Sequence, residues 1–301
     1  MAQLRAFAAV ADTLHFRDAA VVVGTSQPAL SSAVAALEET LGAQLVERTT
    51  RRVLLTSAGE RVARHARRVL DALDDLVDEA ESARRPFTGP LHLGVIPTVA
   101  PYTLPTLLRL VRDDYPELDL YVHEEQTHSL LDGLASGRLD LLLLALPAGA
   151  SGVDEIPLYD EDFTLVVPEG NALAGRSDVP RSALRDLDML LLDEGHCLRD
   201  QALDVCREVG AAEAGATRAT SLPTLVQLVA GGLGVTLLPE TAITVETRPG
   251  SQLAVAHFAA PAPSRRVGLV MRASTGRAAE FGQLAESLRG ALARLPVRIV
   301  G

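Results

Sequence analysis

Strands and helices alternate through most of this 301-residue chain, from Leu91 almost to its end. Short apolar runs suited to buried strands are separated by segments whose apolar residues recur every three or four positions. The predicted elements are 91–96, 104–114, 118–124, 129–136, 140–146, 163–167, 189–193, 198–209, 222–230, 235–238, 267–271 and 278–295. That order predicts α/β units with mostly parallel sheets, and a ligand near the carboxyl ends of the strands.

One long helix is predicted just before this region, over residues 57–86. Its apolar residues fall every three to four positions, with arginines and acidic residues between them. The stripe consists of Val62, His65, Ala66, Val69, Leu70, Leu73, Leu76 and Val77. Such a stripe needs a partner, either a second copy of the helix in a dimer or the chain's own C-terminal region. Pro86, Gly89 and Pro90 end the helix and mark a domain boundary.

Residues 1–56 are predicted to form a small helical module. The apolar face of its first helix comprises Leu4, Phe7, Ala8, Ala11 and the run from Leu14 to Phe16. A second helix over 18–23 ends at Gly24, and a third begins with Ser26 as its N-cap and Pro28 in its first turn. Helix, glycine-containing turn and helix is the arrangement of helix-turn-helix DNA-binding proteins.

Polar residues on the outer face of the third helix are short enough to reach base edges or phosphates. A small hairpin with arginines at its tip follows, as in a wing that contacts phosphate. The predicted DNA-contacting residues are Ser26, Gln27, Pro28, Ser31, Ser32, Arg48, Arg51 and Arg52. A generic small helical domain has the same periodicity, so this pattern alone leaves both interpretations open.

Charge gives no support for nucleic-acid binding. The net charge is −11, and residues after 85 carry seventeen arginines against twenty-seven acidic residues. The N-terminal 56 residues carry five of each sign, so this module is neutral. An acidic body with a neutral N-terminal module does not exclude DNA, but the argument for DNA has to come from the motif.

The two cysteines, Cys197 and Cys206, lie nine residues apart. On a helix, nine residues separate the two thiols by about 13 Å along the axis and place them on opposite faces. A disulfide needs Cα atoms within about 7 Å, so bonding would require the segment to unfold. The pair is therefore a candidate redox switch, and two unrelated buried thiols are the alternative.

The compartment expected for this chain is the cytoplasm. No apolar run approaches the roughly 18 residues of a membrane span, and the N-terminus lacks the pattern of a secretory signal. Cytosolic thiols are kept reduced, so a permanent structural disulfide is not expected. No metal and no cofactor are predicted, since the chain has no C-x-x-C motif and no matching histidine pair.

Conventional enzyme motifs are missing from the sequence. The run from Gly231 to Gly234 follows a helix and precedes a strand, the reverse of a dinucleotide-binding loop. Neither a G-x-S-x-G motif nor a P-loop occurs, and the chain is predicted not to be an enzyme.

The N-terminal module resembles the DNA-binding domain of the LysR-type transcriptional regulators over residues 4–59. The matching positions are Leu4, Phe7, Ala11, Phe16, Ala19, Ala20, Ser26 to Ser31, Leu37, Glu38, Leu41, Gly42, Leu45, Arg48, Leu55, Thr56, Ala58 and Gly59. The resemblance implies a winged helix-turn-helix whose recognition helix lies at about 27–37. The N-terminus begins a residue or two later than is usual in the family, which affects only the first helix.

The same family implies the organisation of the whole chain, which is multidomain α and α/β. Residues 1–58 would be the DNA-binding domain, 59–88 a dimerising linker helix and 89–301 a regulatory domain. That domain would have two α/β lobes, similar to those of periplasmic binding proteins. Lobe I would comprise about 89–162 with 268–301, and lobe II about 163–267.

Within this family, the chain resembles the members that sense hydrogen peroxide. The similar segments are 94–102, 123–128, 195–206 and 218–222. The resemblance implies that Cys197 is the peroxidatic cysteine and Cys206 the resolving cysteine. Ala100 stands where glycine occurs in some members, a change that affects backbone freedom near the pocket but not the chemistry.

The chemistry of peroxide reduction indicates which neighbours Cys197 needs. The attacking group is a thiolate, and the start of a helix favours an anion. Arg199 adds a cation and His196 a donor, while the hydroxyls of Thr98 and Thr127 at strand ends could position the two peroxide oxygens. Asp200 is a candidate proton relay or a lock on Arg199. Each of these side chains also has an interpretation as an ordinary helix-surface residue.

The resulting hypothesis is an activator of antioxidant genes, a homotetramer switched by a reversible disulfide between Cys197 and Cys206. Its expected partners are an operator in double-stranded DNA, hydrogen peroxide as the signal, RNA polymerase, and a thioredoxin- or glutaredoxin-type reductant. Two alternatives remain at this point. One is a LysR-type regulator of a small metabolite with incidental cysteines, and the other is a thiol peroxidase.

Overall fold

A computed structural model of the chain describes residues 1–48, 53–82, 86–211 and 213–301. The chain divides into two compact units. One consists of residues 1–83 with 136–138, and the other of residues 84–135 with 139–301. No single described helix is long and apolar enough to cross a membrane. Helices Phe16–Val23 and Gln27–Leu41 pass that test only when taken together, and they are bent by 98°.

The first unit is a helical module with a short hairpin. Its elements are α1 (Ala2–Thr13), α2 (Phe16–Val23), α3 (Gln27–Leu41), β1 (Val46–Arg48), β2 (Val53–Leu55) and α4 (Ser57–Ser82). Helix α2 ends at Gly24, whose φ of 71° is the left-handed conformation that glycine adopts without strain. Strands β1 and β2 pair antiparallel, as expected for the predicted hairpin.

The core of this module is built from the inward faces of α1, α2 and α3 together with the start of α4. Phe7, Val10, Leu30 and Val34 are all buried in it. The apolar face predicted for the first helix is wrong at its C-terminal end. Leu14 was predicted to belong to that face, but it is the left-handed C-cap of α1 and is exposed. The chain turns at Leu14 to start α2, which takes Phe16 into the core instead.

The predicted stripe of α4 divides into a buried and an exposed part. Ala66 is buried in the core of the module and Val62 packs against that core, whereas the side chains of Val69 and Leu76 are exposed. Ala63, which the predicted stripe did not include, is also buried in this core. The outer part of the stripe therefore has the composition of a surface that associates with another helix.

The second unit contains the remaining elements of the chain. They are β3 (Gly89–Val95), α5 (Ala100–Asp114), β4 (Leu118–Glu124), α6 (Thr127–Ala135), β5 (Leu141–Leu146), β6 (Val153–Pro168), β7 (Met189–Leu192), α7 (Cys197–Val209), β8 (Glu213–Ala219), α8 (Leu222–Ala230), β9 (Thr236–Pro239), α9 (Glu240–Glu246), β10 (Leu253–Ala256), β11 (Ser264–Arg272), α10 (Ala278–Leu292) and β12 (Arg298–Ile299), with a 3-10 turn at Arg181–Asp186.

Two hydrophobic cores define two lobes within this unit. The first-lobe core is formed mainly by β3, β5, α5 and α10. The second-lobe core is formed mainly by β7, β9, α7 and α8. The long strand β6 contributes Leu158 and Tyr159 to the first core, and Phe163 and Leu165 to the second. Strand β6 therefore runs from one lobe into the other.

The prediction of mostly parallel sheets is wrong. The main sheet has the order β10-β6-β11-β5-β3-β4, and only β3 with β4 and β3 with β5 pair parallel in it. Strand β11 pairs antiparallel with both β5 and β6, and β6 also pairs antiparallel with β9, β10 and β12. The sixteen-residue β6 was predicted only in its second half, because its first half carries several charged and proline residues.

Candidate functional site

Cys197 is the first residue of α7, and His196 is the N-cap of that helix. The cysteine side chain is half-buried, and it packs against the first-lobe core although the rest of α7 belongs to the second lobe. The free N–H groups at a helix start carry a partial positive charge that favours an anion. The sulfur of Cys197 thus lies between the lobes, at a position suited to a thiolate.

Cys206 lies on the same helix but is buried in the second-lobe core, and no disulfide joins the two cysteines. Helix α7 is continuous between the two cysteines, so nine residues separate them by about 13 Å along the axis. Leu198, Ala202, Val205 and Val209 are all buried on the face that anchors the helix. The two sulfurs can therefore meet only if α7 is unwound and Cys206 leaves the core.

Gly195 makes a sharp turn just before the helix. Its φ is +93°, and a Cβ at this position would lie 2.4 Å from the Oε1 atom of Gln126. The Nε2 atom of Gln126 lies 3.4 Å from the Glu194 carbonyl oxygen and 3.3 Å from His196 Nε2. The backbone conformation thus favours glycine here, and a side chain at this position would displace the amide of Gln126.

His196 is buried beside the sulfur-bearing turn. Burial lowers the pKa of the imidazole, and the charge of Asp193 and the backbone of Thr220 oppose this only in part. Because the ordinary value is about 6.5, a lowered pKa keeps His196 neutral at physiological pH. A neutral imidazole can donate through one nitrogen and accept through the other.

Thr98 is buried in the loop that follows β3, and it is held by Arg265 of β11. Arg265 Nη1 donates to Thr98 Oγ1 at 3.0 Å, and Nη2 donates to the Thr98 carbonyl oxygen at 2.9 Å. The side chain of Arg265 is fully buried and forms an ion pair with Glu161 of β6 at 2.7 Å. Sequence reasoning missed both charged residues, because each has charged neighbours in the sequence. Asp160 and Asp162 flank Glu161, and Arg266 follows Arg265, so neither stood out as buried.

Arg265 keeps its charge although it is buried. Burial alone would lower the pKa of the guanidinium, but electrostatic interactions, above all with Glu161, raise it above its ordinary value. The guanidinium therefore remains a cation in this buried position.

Thr127 is the first residue of α6, close after the end of β4. Its Oγ1 atom is buried, and within the described part of the chain it has no hydrogen-bonding partner. A buried hydroxyl without a partner costs free energy unless a water or a ligand binds to it. The Thr127 hydroxyl is therefore placed to receive a small polar molecule.

Arg199 and Asp200 occupy the first turn of α7 after Cys197. Arg199 is largely buried, whereas the Asp200 carboxylate is exposed, and the two groups are 3.6 Å apart. The structure thus places Asp200 on the solvent side of Arg199. This arrangement is compatible with a lock on Arg199, and it leaves the carboxylate accessible to water.

The residues predicted to contact DNA fall into two groups. Ser26 is the N-cap of α3, where its Oγ accepts a hydrogen bond from Ala29 N at 3.3 Å. The side chains of Gln27, Pro28 and Ser32 are exposed at the start of this helix, and Ser31 is half-exposed. Arg48 lies at the end of β1 instead of the hairpin tip, and Arg51 and Arg52 lie outside the described residues.

The hairpin is attached to α3 by Glu38. Its Oε1 atom accepts hydrogen bonds from Leu45 N at 2.7 Å and from Val46 N at 3.0 Å. The adjoining turn into α4 is also close-packed, because a Cβ on Gly59 would lie 2.1 Å from the Leu45 carbonyl oxygen. The exposed start of α3 and the hairpin are therefore held in one rigid module.

No group of three or more metal-ligating side chains occurs among the residues that the structure describes.

Comparisons with known proteins agree with this arrangement. Residues 1–60 match the model of the bacterial regulatory helix-turn-helix proteins of the lysR family, and residues 84–293 match the LysR substrate binding domain. The chain is 65% identical over 301 residues to a probable hydrogen peroxide-inducible genes activator of Streptomyces viridosporus, covering 100% of this chain and 96% of that relative. It is also 43% identical over 281 residues to the DNA-binding transcriptional dual regulator OxyR of Escherichia coli K12. That match covers 93% of this chain and 92% of that relative.

The fold is similar to a solved structure of OxyR from Corynebacterium glutamicum, a cysteine-to-serine variant with bound hydrogen peroxide. The two share 47% sequence identity, with a TM-score of 0.70 and coverage of 98% of this chain and 93% of that one.

Proposed function

The chain belongs to the LysR family of bacterial transcriptional regulators and is one of its hydrogen-peroxide-sensing activators, and we propose that Cys197 and Cys206 form its switch. The observation that carries this proposal is the placement of the two thiols on α7. One is accessible at the start of the helix, and the other is buried on the same helix nine residues later.

In the first step, the Cys197 thiolate attacks one oxygen of hydrogen peroxide and the O–O bond breaks. The sulfur becomes a sulfenic acid, and the other oxygen leaves as water after taking up a proton. In the second step, the Cys206 thiol attacks the sulfenic sulfur. This forms the S–S bond and releases a second water, so one peroxide is reduced to two waters as two thiols are oxidised.

The pocket around Cys197 supplies what the first step requires. Thr98 Oγ1 accepts from Arg265, so its own proton is available to a peroxide oxygen. The partnerless Thr127 hydroxyl can bind the other oxygen, and neutral His196 can give a proton to the leaving oxygen. Arg199 favours the thiolate, and Asp200 holds Arg199 in place.

The second step couples chemistry to conformation. Cys206 cannot reach Cys197 while α7 is intact, so disulfide formation has to pull the buried face of the helix out of the second-lobe core. One covalent bond therefore selects between two packings of the regulatory unit. We assign residues 89–301 to this sensing role, 59–88 to dimerisation and 1–58 to DNA reading.

The chain binds DNA through its helix-turn-helix module and works as an oligomer. We assign phosphate and base-edge contacts to Ser26, Gln27, Pro28, Ser31, Ser32, Arg48, Arg51 and Arg52. A homotetramer is proposed, in which the disulfide changes the spacing of the DNA-binding modules and thereby the contact with RNA polymerase. A thioredoxin- or glutaredoxin-type reductant in the cytosol resets the switch.

The proposal is tested by treating the reduced full-length protein with about one equivalent of peroxide. Peptide mass spectrometry identifies the bonded cysteines, and DNA footprinting on the same sample reports the state of the regulator. A Cys197–Cys206 disulfide together with an altered footprint is expected. Free thiols with an unchanged footprint would leave a LysR-type regulator whose signal is not peroxide.

Two variants and one assay separate the remaining possibilities. Cys197→Ser should abolish the response, and Cys206→Ser should stop at the sulfenic acid. Peroxide consumption with a thioredoxin system should show no sustained turnover beyond slow resetting. Rapid catalytic turnover would instead indicate a thiol peroxidase.

A further inference from the structure

Gln126 bridges the two lobes beside Cys197. It lies in the short connection between β4 and α6 of the first lobe, and Thr127 follows it as the first residue of α6. Its side chain reaches the turn between β7 and α7 of the second lobe. There, Gln126 Nε2 lies 3.4 Å from the Glu194 carbonyl oxygen and 3.3 Å from His196 Nε2. One amide thus contacts the backbone and a side chain of the turn that carries the cysteine.

Both protons of the Gln126 amide are directed at this turn. An amide nitrogen has two N–H donors, whereas a backbone carbonyl oxygen only accepts. Gln126 Nε2 therefore donates to the Glu194 carbonyl oxygen, and its second proton faces the ring of His196. Since His196 directly precedes Cys197 in the chain, the amide holds the segment from which the sulfur projects.

The amide also packs against Gly195, the residue between its two hydrogen-bonding partners. A Cβ on Gly195 would lie 2.4 Å from Gln126 Oε1 and 2.9 Å from its amide carbon. Both distances are shorter than side chains tolerate, so the amide already fills the space beside the turn. A group that contacts three successive residues, 194–196, has little freedom to slide along them.

Thr127 carries a hydroxyl whose position depends on this bridge. Its Oγ1 atom is buried and, in the part of the chain that the structure describes, has no hydrogen-bonding partner. Because Thr127 is bonded to Gln126, their backbones move together. The hydroxyl belongs to the first lobe and Cys197 to a helix of the second, so a link between the lobes at this point fixes how far apart the two groups lie.

We propose that Gln126 is a positioning residue that holds the Thr127 hydroxyl at a working distance from the Cys197 sulfur. This inference rests on the proposed function, in which the hydroxyl binds one oxygen of the peroxide that the thiolate attacks. A hydrogen bond weakens steeply with distance and angle, and a misplacement of about 1 Å slows a reaction strongly. Loss of the bridge therefore slows oxidation while both reacting groups remain present.

The experiment compares two reactions of Cys197 in full-length protein with a Cys206→Ser background. One is oxidation by hydrogen peroxide, followed by trapping of the sulfenic acid. The other is alkylation by iodoacetamide, which depends on the accessibility and ionisation of the thiol and not on a bound peroxide. Gln126→Ala should slow oxidation about tenfold and change the alkylation rate by less than about twofold. Equal changes in both rates, or no change in either, would overturn the proposal.

A double-mutant cycle tests whether Gln126 acts through Thr127. Thr127→Val removes the hydroxyl and keeps the branched shape of the side chain. If Gln126 positions this hydroxyl, then adding Gln126→Ala to the Thr127→Val variant should slow oxidation by less than about twofold further. Two effects that multiply would show that Gln126 acts independently of Thr127 and would overturn the proposal.

Two more variants keep the test decisive if Gln126→Ala disturbs the fold. Gln126→Asn retains the amide on a side chain that is one methylene shorter and cannot span to the turn. Gln126→Met retains a long side chain but has no N–H donor. Oxidation should slow several-fold in both variants with little change in alkylation, and parental oxidation rates in both would contradict the role of the bridge.

His128 offers a matched control on the same helix. Its side chain is 85% exposed and lies 3.2 Å from Asp132, which is also on α6. His128→Ala truncates a side chain next to Thr127 on the solvent side, so both rates should stay at the parental level. An equal slowing of oxidation in His128→Ala and Gln126→Ala would overturn the proposal, because any truncation near the start of α6 would then have the same effect.

The outcomes distinguish this inference from the proposed function. If peroxide leaves Cys197 of the parent unmodified, the proposed function fails and the role of Gln126 fails with it. If the parent is oxidised and Thr127→Val is slow, but Gln126→Ala reacts at the parental rate, then only the role of Gln126 fails.

Discussion

Arg265 contacts Thr98 twice, donating to its hydroxyl oxygen at 3.0 Å and to its carbonyl oxygen at 2.9 Å. A hydroxyl has one proton and two acceptor positions, so a Thr98 hydroxyl that accepts from Arg265 can still donate elsewhere. The guanidinium thereby connects strand β11 to the loop after β3. It also orients the Thr98 hydroxyl, whose single proton can then be donated to another group.

Thr98→Val should slow the oxidation of Cys197 by peroxide about tenfold. The substitution removes a donor to the peroxide and one charge-assisted hydrogen bond with Arg265. The rate is measured by trapping the sulfenic acid in a Cys206→Ser background. Thr103→Val is the control, because the buried Thr103 hydroxyl donates to the Val99 carbonyl within α5. Equal oxidation rates in the two variants would contradict the role of Thr98.

Gly195→Ala should lower the free energy of unfolding by about 1–2 kcal/mol, because alanine is strained at a positive φ. It should also slow Cys197 oxidation, since the new Cβ displaces Gln126 from its contacts with His196 and Glu194. Gly210→Ala is matched in strain, with a φ of 68°, but nothing lies within 4 Å of its Cβ. We expect Gly210→Ala to lose a comparable amount of stability but to oxidise Cys197 at the parental rate. Urea unfolding and peroxide kinetics of both variants check this.

Leu198→Ala should shorten the lifetime of the sulfenic acid. Leu198 is buried, and its truncation weakens the packing that holds α7 in the second-lobe core by about 2–5 kcal/mol. Because α7 must unwind before Cys206 can attack, disulfide formation should accelerate several-fold. Leu225→Ala on α8 removes the same side chain from the same core and should not accelerate it. Dimedone trapping over time gives the lifetime, and a longer lifetime in Leu198→Ala would argue against unwinding as the slow step.

His196 should make the regulatory unit less stable in acid. Burial lowers its pKa in the folded state, so below about pH 6.5 the unfolded chain binds a proton that the folded chain resists. The contribution of His196 to the free energy of unfolding is therefore complete above its ordinary pKa. It is lost as the pH falls from that value toward the lower pKa that His196 has in the folded state. His196→Gln should flatten the dependence between pH 7 and 5 in urea titrations. A slope in His196→Gln equal to that of the parent would contradict this origin of the acid sensitivity.

The secondary structure followed closely from local pattern. The C-cap of α2 at Gly24, the N-cap of α3 at Ser26 and most apolar runs correspond to elements of the structure, since they depend on residues only a few positions apart. Strand pairing could not be predicted in this way. The antiparallel pairing of β6 with β9, β10 and β11 joins segments up to about 120 residues apart, and no local pattern specifies which strands meet.

In the candidate site, too, local features could be predicted from the sequence and long-range contacts could not. The sequence by itself determined that two thiols nine residues apart on a helix cannot bond, and that Cys197 begins that helix. Only the tertiary structure decided which groups surround the sulfur. Arg265 and Glu161 are distant from Thr98 in the chain, and the pairing of β6 with β11 brings the ion pair to the loop after β3. Spacing along a helix is a property of covalent geometry, whereas the electric field at one atom depends on every strand that passes near it.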